Sequence, residues 1–243
     1  MGLRLSDDVD SSHSYSSCLI DHVGVLTLMN NITNRLLKCY TGAVYDVMRE
    51  MGHPDCALPH DIRPLNEDQT LAGPVWTCSG VIDETISDDE SLLSWTGLLS
   101  KVPSDSVLVC QPNDSTIAHM GELSAETLKH RGVLGYVVDG GTRDADFIKR
   151  LGWPIYFRYY TPQDVVGKWK VESLGKPITI GSVVISPGDW ILADIDGVIV
   201  IPQSLIMTVL DKTESIMTTE SELRSMILSG MDPQDAYKKY RLF

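Results

Sequence analysis

No C-x-x-C pair occurs among the five scattered cysteines, Cys18, Cys39, Cys56, Cys78 and Cys110. Neither a zinc cage nor a disulfide framework is therefore expected, and reduced thiols in a cytoplasmic protein are the reading. No apolar run approaches the ~20 residues that a membrane span needs, so no membrane partner is expected. The start, MGLRLSDDVDSSHSYSSC, lacks the basic opening and apolar stretch of a secretory leader. Met1-Gly2 with Ser6 loosely matches a myristoylation pattern, but Asp7 and Asp8 follow and no polybasic patch assists. Positive charge is scarce: 20 Lys and Arg stand against 33 Asp and Glu, for a net charge of −13. Such a field repels phosphate backbones and excludes sequence-independent nucleic-acid binding. It also repels small anions, so any anion site must be local: an Arg, a metal or a helix N-terminus. No repeat, low-complexity tract or long linker divides the chain.

What is present is an ordinary globular complement, 43% hydrophobic and 22% charged over 243 residues, enough for a full core. The organisation expected is an N-terminal extension over 1–30, one domain over 31–230 and a tail helix over 231–243. A helix is expected between Thr33 and Met51, interrupted near TGAVYDVM, with Thr41 as N-cap and Gly52 just past the end. The proline-rich HPDCALPHDIRPL reads as a loop leading to a strand at LAGPVWTCSGV. DDESLLSWTGLLSKV reads as an amphipathic helix with an acidic first turn. SVLVCQ, VLGYVVDGG and WPIYFRYY read as strands. Between them lie a helix opening at Gly121 and closing at Gly132, and a short one over RDADFIKRLG. That alternation implies a parallel, buried sheet. KPITIGSVVISPGDWILADIDGVIVIP reads as an antiparallel meander, with turns at Gly181, Pro187-Gly188 and Asp196-Gly197. A long helix and a short final one complete an α/β chain with mixed β layers.

Ligands in open α/β sheets gather at the carboxyl ends of strands, and two such junctions lie close in sequence. QPNDSTIAHMGELS offers the backbone N–H groups of Gly121 to Ser124 at a helix start, an anion-binding arrangement. VVDGGTRD offers Arg143, able to clamp a carboxylate, beside Asp144, a suitable oxygen ligand for Mg²⁺. The glycines are expected to let the backbone approach a ligand. On the residues alone a second reading stands: Arg143 as a solvated cation, Asp144 as a first-turn helix residue and DGG as a turn.

GELS at 121–124, followed by RGVLGYVVDGGTRD, resembles the signature of the RraA-like family. TGAVYDVMREMGHPDCALPHDIRPL, LAGPVWT and SLGKPITIGSVVISPGDWILADIDGVIVIP resemble that family's N-terminal helix, first strand and C-terminal strands. The resemblance covers roughly residues 35–225 and leaves the first 30 and the last dozen unexplained. It implies a layered β/β/α, swivelling-domain-like fold with a mixed sheet core. It also implies the activity of the class II 4-hydroxy-4-methyl-2-oxoglutarate and 4-carboxy-4-hydroxy-2-oxoadipate aldolases. The family's substrate-binding stretch falls on Gly121, Glu122, Leu123 and Ser124, its substrate-binding Arg on Arg143 and its metal ligand on Asp144. Glu122 would lie by the metal's water shell, with Glu122 and Arg143 catalytic. Lys168 matches a functional Lys across a gap.

The resemblance thus implies a lyase that uses Mg²⁺ or Mn²⁺ to release pyruvate from a small 4-hydroxy-2-oxo acid, with oxaloacetate decarboxylation sharing the same enolate. A homotrimer or homohexamer is implied as well. The family also holds ribonuclease regulators that often lack the Asp after the Arg; a non-catalytic regulator binding a protein partner is the alternative. His119 is read as a satisfied loop histidine and Asp139 as a brace for the glycine turn. DIDG at 194–197 resembles a calcium loop, but Leu205 stands where its twelfth-position Glu should be, so a strand-linking turn is expected. Met207, Met217, Met226 and Met231 are expected to pack the helices.

Overall fold

The structure, a computed structural model, describes the backbone of residues 12–241 and side chains from residue 24 to 241. The myristoylation pattern and the Cys18 side chain lie outside the described residues. Helix α1 (Ser12–Leu36) leads into α2 (Thr41–Glu50); β1 (Arg63–Pro64) precedes the long β2 (Leu71–Ile82). Then come α3 (Asp88–Lys101), β3 (Val107–Gln111), α4 (Glu122–His130), β4 (Gly135–Val138), β5 (Gly141–Thr142), α5 (Ala145–Leu151), β6 (Ile155–Phe157) and β7 (Tyr159–Tyr160). The chain continues through β8 (Trp169–Leu174), β9 (Ile178–Ile180), β10 (Val183–Ile185), β11 (Trp190–Asp194) and β12 (Gly197–Ile201). It ends in α6 (Ile206–Leu228) and α7 (Pro233–Tyr240).

The main sheet has the order β1-β6-β4-β3-β2-β11-β12. Its middle, β2 to β3 to β4 to β6, is parallel, as the strand–helix alternation requires. β2 carries three partners: β3 along one edge, with β11 near its start and β8 near its end on the other.

Strand alternation distributes the core. Leu108, Cys110, Tyr136 and Val138 face α3, α4 and α5, where they meet Leu98, Leu128 and Ile148. Val107, Val109 and Val137 face the β9–β10 hairpin and meet Ile180 and Ile185. That gives the β/β/α layering. The far face of β11 and β12 (Leu192, Ile199, Ile201) is covered by α1, α2 and α6 through Leu36, Val44 and Leu210. The four described cysteines are buried thiols.

Several local expectations change. Tyr40, not Thr41, is the N-cap of α2; Thr41 is the first helical residue. Its N–H and hydroxyl both donate to the Asp194 carboxylate, at 2.8 and 2.7 Å, so a distant strand end caps the helix. Asp194 is therefore engaged as a helix cap, and DIDG is a strand-linking turn. The C-terminal strands are two separate hairpins instead of one meander: β9 pairs with β10 and β11 with β12, but β11 turns to β2. Helix α1 begins at Ser12 and so runs through the expected 30/31 boundary. Met217 packs against the third core cluster, whereas Met207 and Met226 are exposed.

Candidate active site

The two junctions singled out in the sequence lie side by side. Segment 118–120 runs along 141–143: Ala118 bridges Gly141, the His119 N–H donates to Gly141 O, and the Arg143 N–H donates to Met120 O. Thr142 Oγ1 adds a bond to Met120 O at 3.2 Å. The α4 N-terminus and the Arg143-Asp144 pair therefore open into one cleft of about 430 Å³, walled by α3 and by residues 164–166.

Gly121 is the N-cap of α4. A Cβ here would stand 2.7 Å from Asp144 Oδ2 and 3.2 Å from Arg143 Nε, so the site's packing requires glycine. The Glu122 N–H donates to Asp144 Oδ2 at 3.0 Å. Helix geometry leaves the next amides, of Leu123 and Ser124, without intrahelical acceptors and available to an anion. Ser124 Oγ accepts from the Trp95 indole N–H at 2.9 Å, which fixes its position. Asp144 has φ 55° and ψ 34°, left-handed backbone that costs a non-glycine residue on the order of 1 kcal/mol and that Asp tolerates better than most. This turn aims its carboxylate back at α4.

Arg143 donates from one terminal nitrogen to Asp164 Oδ2 at 2.8 Å, while its Nε lies 3.6 Å from Asp144 Oδ2. The groups are a little over a third exposed. Asp164 was not visible to sequence reasoning, because nothing in TPQDVVG marks it. The Val166 N–H donates to Asp164 Oδ1, and the chain that follows is tied to α3: the Gly167 N–H donates to Ser91 Oγ and the Val171 N–H to Ser94 Oγ. Lys168 stands apart, its ammonium on the Gln163 side chain and not among the residues that line the cleft.

The turn glycines serve a purpose other than the one expected. A Cβ on Gly140 would lie 2.8 Å from His119 Nδ1, and one on Gly141 would lie 2.5 Å from the Tyr159 ring. They permit close packing against the protein itself and not approach to a ligand. Asp139 binds Arg158, whose backbone N–H donates to Gly140 O, so it braces this turn. His119 is not the satisfied histidine expected. Its ring is fully buried and neither nitrogen has a hydrogen-bond partner. Nε2 is 3.6 Å from Asp114 Oδ2, and the ring packs edge-on to Trp169. Burial lowers its pKa to about 4, the nearby Asp114 charge opposing.

Among the described residues no three His, Cys, Asp or Glu side chains converge on a metal-sized point. A zinc cage does not fit. A single carboxylate open to water, Asp144 with Glu122 adjacent, suits a hard cation that keeps most of its waters. Three carboxylates (Glu122, Asp144, Asp164) against one guanidinium also favour cation binding in the cleft.

A family model described as "RraA-like: Aldolase/RraA" matches residues 41–200. Protein DlpA of Legionella pneumophila is 29% identical over 217 residues, 87% of this chain, but the chain spans only 34% of that longer relative. A Halalkalibacterium halodurans protein carrying the name "Putative 4-hydroxy-4-methyl-2-oxoglutarate aldolase" is 31% identical over 71% of this chain and 78% of its own. Among solved structures, Streptomyces coelicolor RraAS2, described as an unusual member of the RNase ES inhibitor RraA protein family, superposes with a TM-score of 0.73. Its identity is 25%, covering 81% of this chain and 98% of that one.

Proposed function

The chain belongs to the RraA-like family, and from that premise we propose that it is a divalent-metal-dependent lyase releasing pyruvate from a 4-hydroxy-2-oxo acid. The observation that carries this reading is the meeting of three elements in one cleft: free α4 amides, the Arg143 guanidinium and the open Asp144 carboxylate. Asp144, with Glu122 beside it, would hold Mg²⁺ or Mn²⁺, which when bound supplies Lewis-acid polarisation of the substrate's 2-oxo group.

The chain's own residues account for the remainder. The amides of Leu123 and Ser124, with the Ser124 hydroxyl, receive the substrate carboxylate at the positive end of α4. Arg143, oriented by Asp164, faces the C2 oxygen. The C3–C4 bond breaks, its electron pair moves toward C2, and the C4 hydroxyl loses its proton to form the carbonyl product. Negative charge grows on the C2 oxygen beside Arg143, which binds it more strongly than it binds the ground state. Glu122 is assigned to take the hydroxyl proton, and protonation at C3 completes pyruvate. Loss of CO₂ from oxaloacetate passes through the same enolate and is an expected companion activity.

The test is pyruvate release from several 4-hydroxy-2-oxo acids and oxaloacetate, with Mg²⁺ or Mn²⁺ and again with EDTA. Metal-stimulated release supports the lyase. No release from any substrate in either metal would favour the second reading, a non-catalytic partner-binding protein, for which the likeness to RraAS2 is the motivating observation.

A further inference from the structure

Four hydroxyl side chains line the cleft: Thr96, Ser100, Ser124 and Thr127. Three of them spend their proton on their own helix. Thr96 Oγ1 donates to Leu92 O at 2.7 Å, Ser100 Oγ to Thr96 O at 2.9 Å and Thr127 Oγ1 to Leu123 O at 2.7 Å, each reaching the carbonyl of the preceding turn. Ser124 is the exception. The carbonyl one turn before it, Met120 O, already accepts from the Arg143 N–H at 2.9 Å and from Thr142 Oγ1 at 3.2 Å, which fills both of its lone pairs.

The bond that Ser124 makes is to α3. Its Oγ accepts from Trp95 Nε1 at 2.9 Å. An indole N–H can only donate, so this bond occupies a lone pair of the hydroxyl and leaves its proton for another acceptor. A helical Cβ leans toward the N-terminus, which brings Oγ toward the end of α4 where the Leu123 and Ser124 amides are free. Trp95 is held in turn. It is buried and stands edge-on to Trp169, with ring centroids 5.9 Å apart. Trp169 is fully buried and donates to Pro112 O at 2.9 Å. It lies so close to β2 that a Cβ on Gly80 would be 1.9 Å from its ring. A clamp thus runs from the sheet through both indoles to the Ser124 hydroxyl.

We propose that Trp95 is a positioning residue: its indole holds the Ser124 hydroxyl as a dedicated donor to the C1 carboxylate of the 2-oxo acid. The oriented O–H joins the α4 amides in a charge-assisted contact. This rests on the lyase reading for the acid that occupies the cleft, and on the Trp95–Ser124 bond for how its carboxylate is held. The C1 carboxylate bears the same charge before and during C3–C4 cleavage, so the contact binds substrate and transition state alike. Its signature falls on KM, whereas that of Arg143 falls on kcat.

The test is a double-variant cycle of Trp95→Phe, Ser124→Ala and the two combined. It is read by calorimetry with pyruvate and Mg²⁺, by the kinetics of pyruvate release and by thermal melts. Ser124→Ala is expected to weaken pyruvate binding about tenfold and to raise KM by about the same factor, with kcat changed less than about twofold. Phe keeps a ring against Trp169 and removes the donor, so Trp95→Phe should weaken binding about fivefold by freeing the hydroxyl to rotate. The combined variant should match Ser124→Ala, because without the hydroxyl Trp95 has nothing to orient. Losses that multiply in the combined variant overturn the proposal, since Trp95 would then act through packing alone. Unchanged pyruvate affinity in Ser124→Ala overturns it as well, as does a loss that falls on kcat or an unaltered protein that binds no pyruvate. Pyruvate bound and weakened as expected, but released from none of the 4-hydroxy-2-oxo acids or oxaloacetate, removes the lyase reading instead and leaves the carboxylate contact standing.

Discussion

Asp164 holds Arg143 through a 2.8 Å hydrogen bond from a loop 21 residues further along the chain. Both side chains are partly exposed, so the pair contributes little to stability, at most about 1 kcal/mol. Its effect is orientation. Asp164→Asn is expected to lower kcat/KM about tenfold, through a guanidinium left free to turn, while the melting temperature stays within a few degrees. Arg143→Lys should cost about a hundredfold in kcat, because Lys keeps the charge and loses the planar fork. Steady-state kinetics beside thermal melts check both; an Arg143→Lys effect confined to KM would make Arg143 a uniform binding residue.

Asp144 allows a cleaner separation of chemistry from fold. Asn tolerates left-handed backbone and retains an oxygen to accept from the Glu122 N–H, so Asp144→Asn should melt near the unaltered protein. It should nevertheless lose most Mn²⁺ affinity by calorimetry. Asp144→Ala should lose the same affinity and about 1 kcal/mol or more of stability besides. Full Mn²⁺ affinity in both variants would remove Asp144 from the metal site.

His119 sets a pH dependence with a definite sign. Its folded pKa, about 4, lies below the ordinary 6.5, so between these values the unfolded chain binds a proton that the folded one refuses. Stability is full above about pH 6.5 and falls as pH drops through that window, by on the order of 3 kcal/mol at the bottom. Asp114, whose pKa is held low by hydrogen bonds from Ile117 and Thr116 against the opposing effect of burial, titrates below the window. Urea midpoints from pH 7 to 4 should slope downward in the unaltered protein and flatten in both His119→Gln and His119→Leu. An unchanged slope in those variants would exclude His119 as its source.

A trimer or hexamer is proposed for the assembled protein. Val25, Leu26 and Leu28 of α1 and Leu228 of α6 are large apolar groups left exposed in the single chain. Light scattering is expected to report three or six chain masses; a stable monomer with full activity would refute shared assembly.

The parallel half of the sheet was legible because each β–α unit announces itself locally: an apolar run, then a glycine or an acidic turn, then helical spacing. Gly121 to Ser124, Arg143 and Asp144 were legible through their resemblance to a family signature, and they do meet in one cleft. Asp164 was not, since its role depends on α3 holding a loop that has no pattern of its own. The swap of Thr41 from cap to capped residue was equally hidden, because its partner Asp194 lies 153 residues away. The DGG glycines were read for a ligand when their constraint comes from His119 and Tyr159, ring contacts that no local window contains.

The three partners of β2 bear on how the chain emerges during synthesis. β3 follows β2 closely, but the other edge waits: Thr77 is joined to Lys176, 99 residues later. At about 5–20 residues per second the ribosome leaves that edge open for roughly 5–20 s. An apolar strand of 12 residues with a bare edge is a template for pairing with other nascent chains. Pro74, which has no N–H to give, and Gly73 and Gly80, which weaken strand pairing, interrupt it along its length. Such interruptions shorten the run open to mispairing while the strand has one neighbour in place and two still to be made.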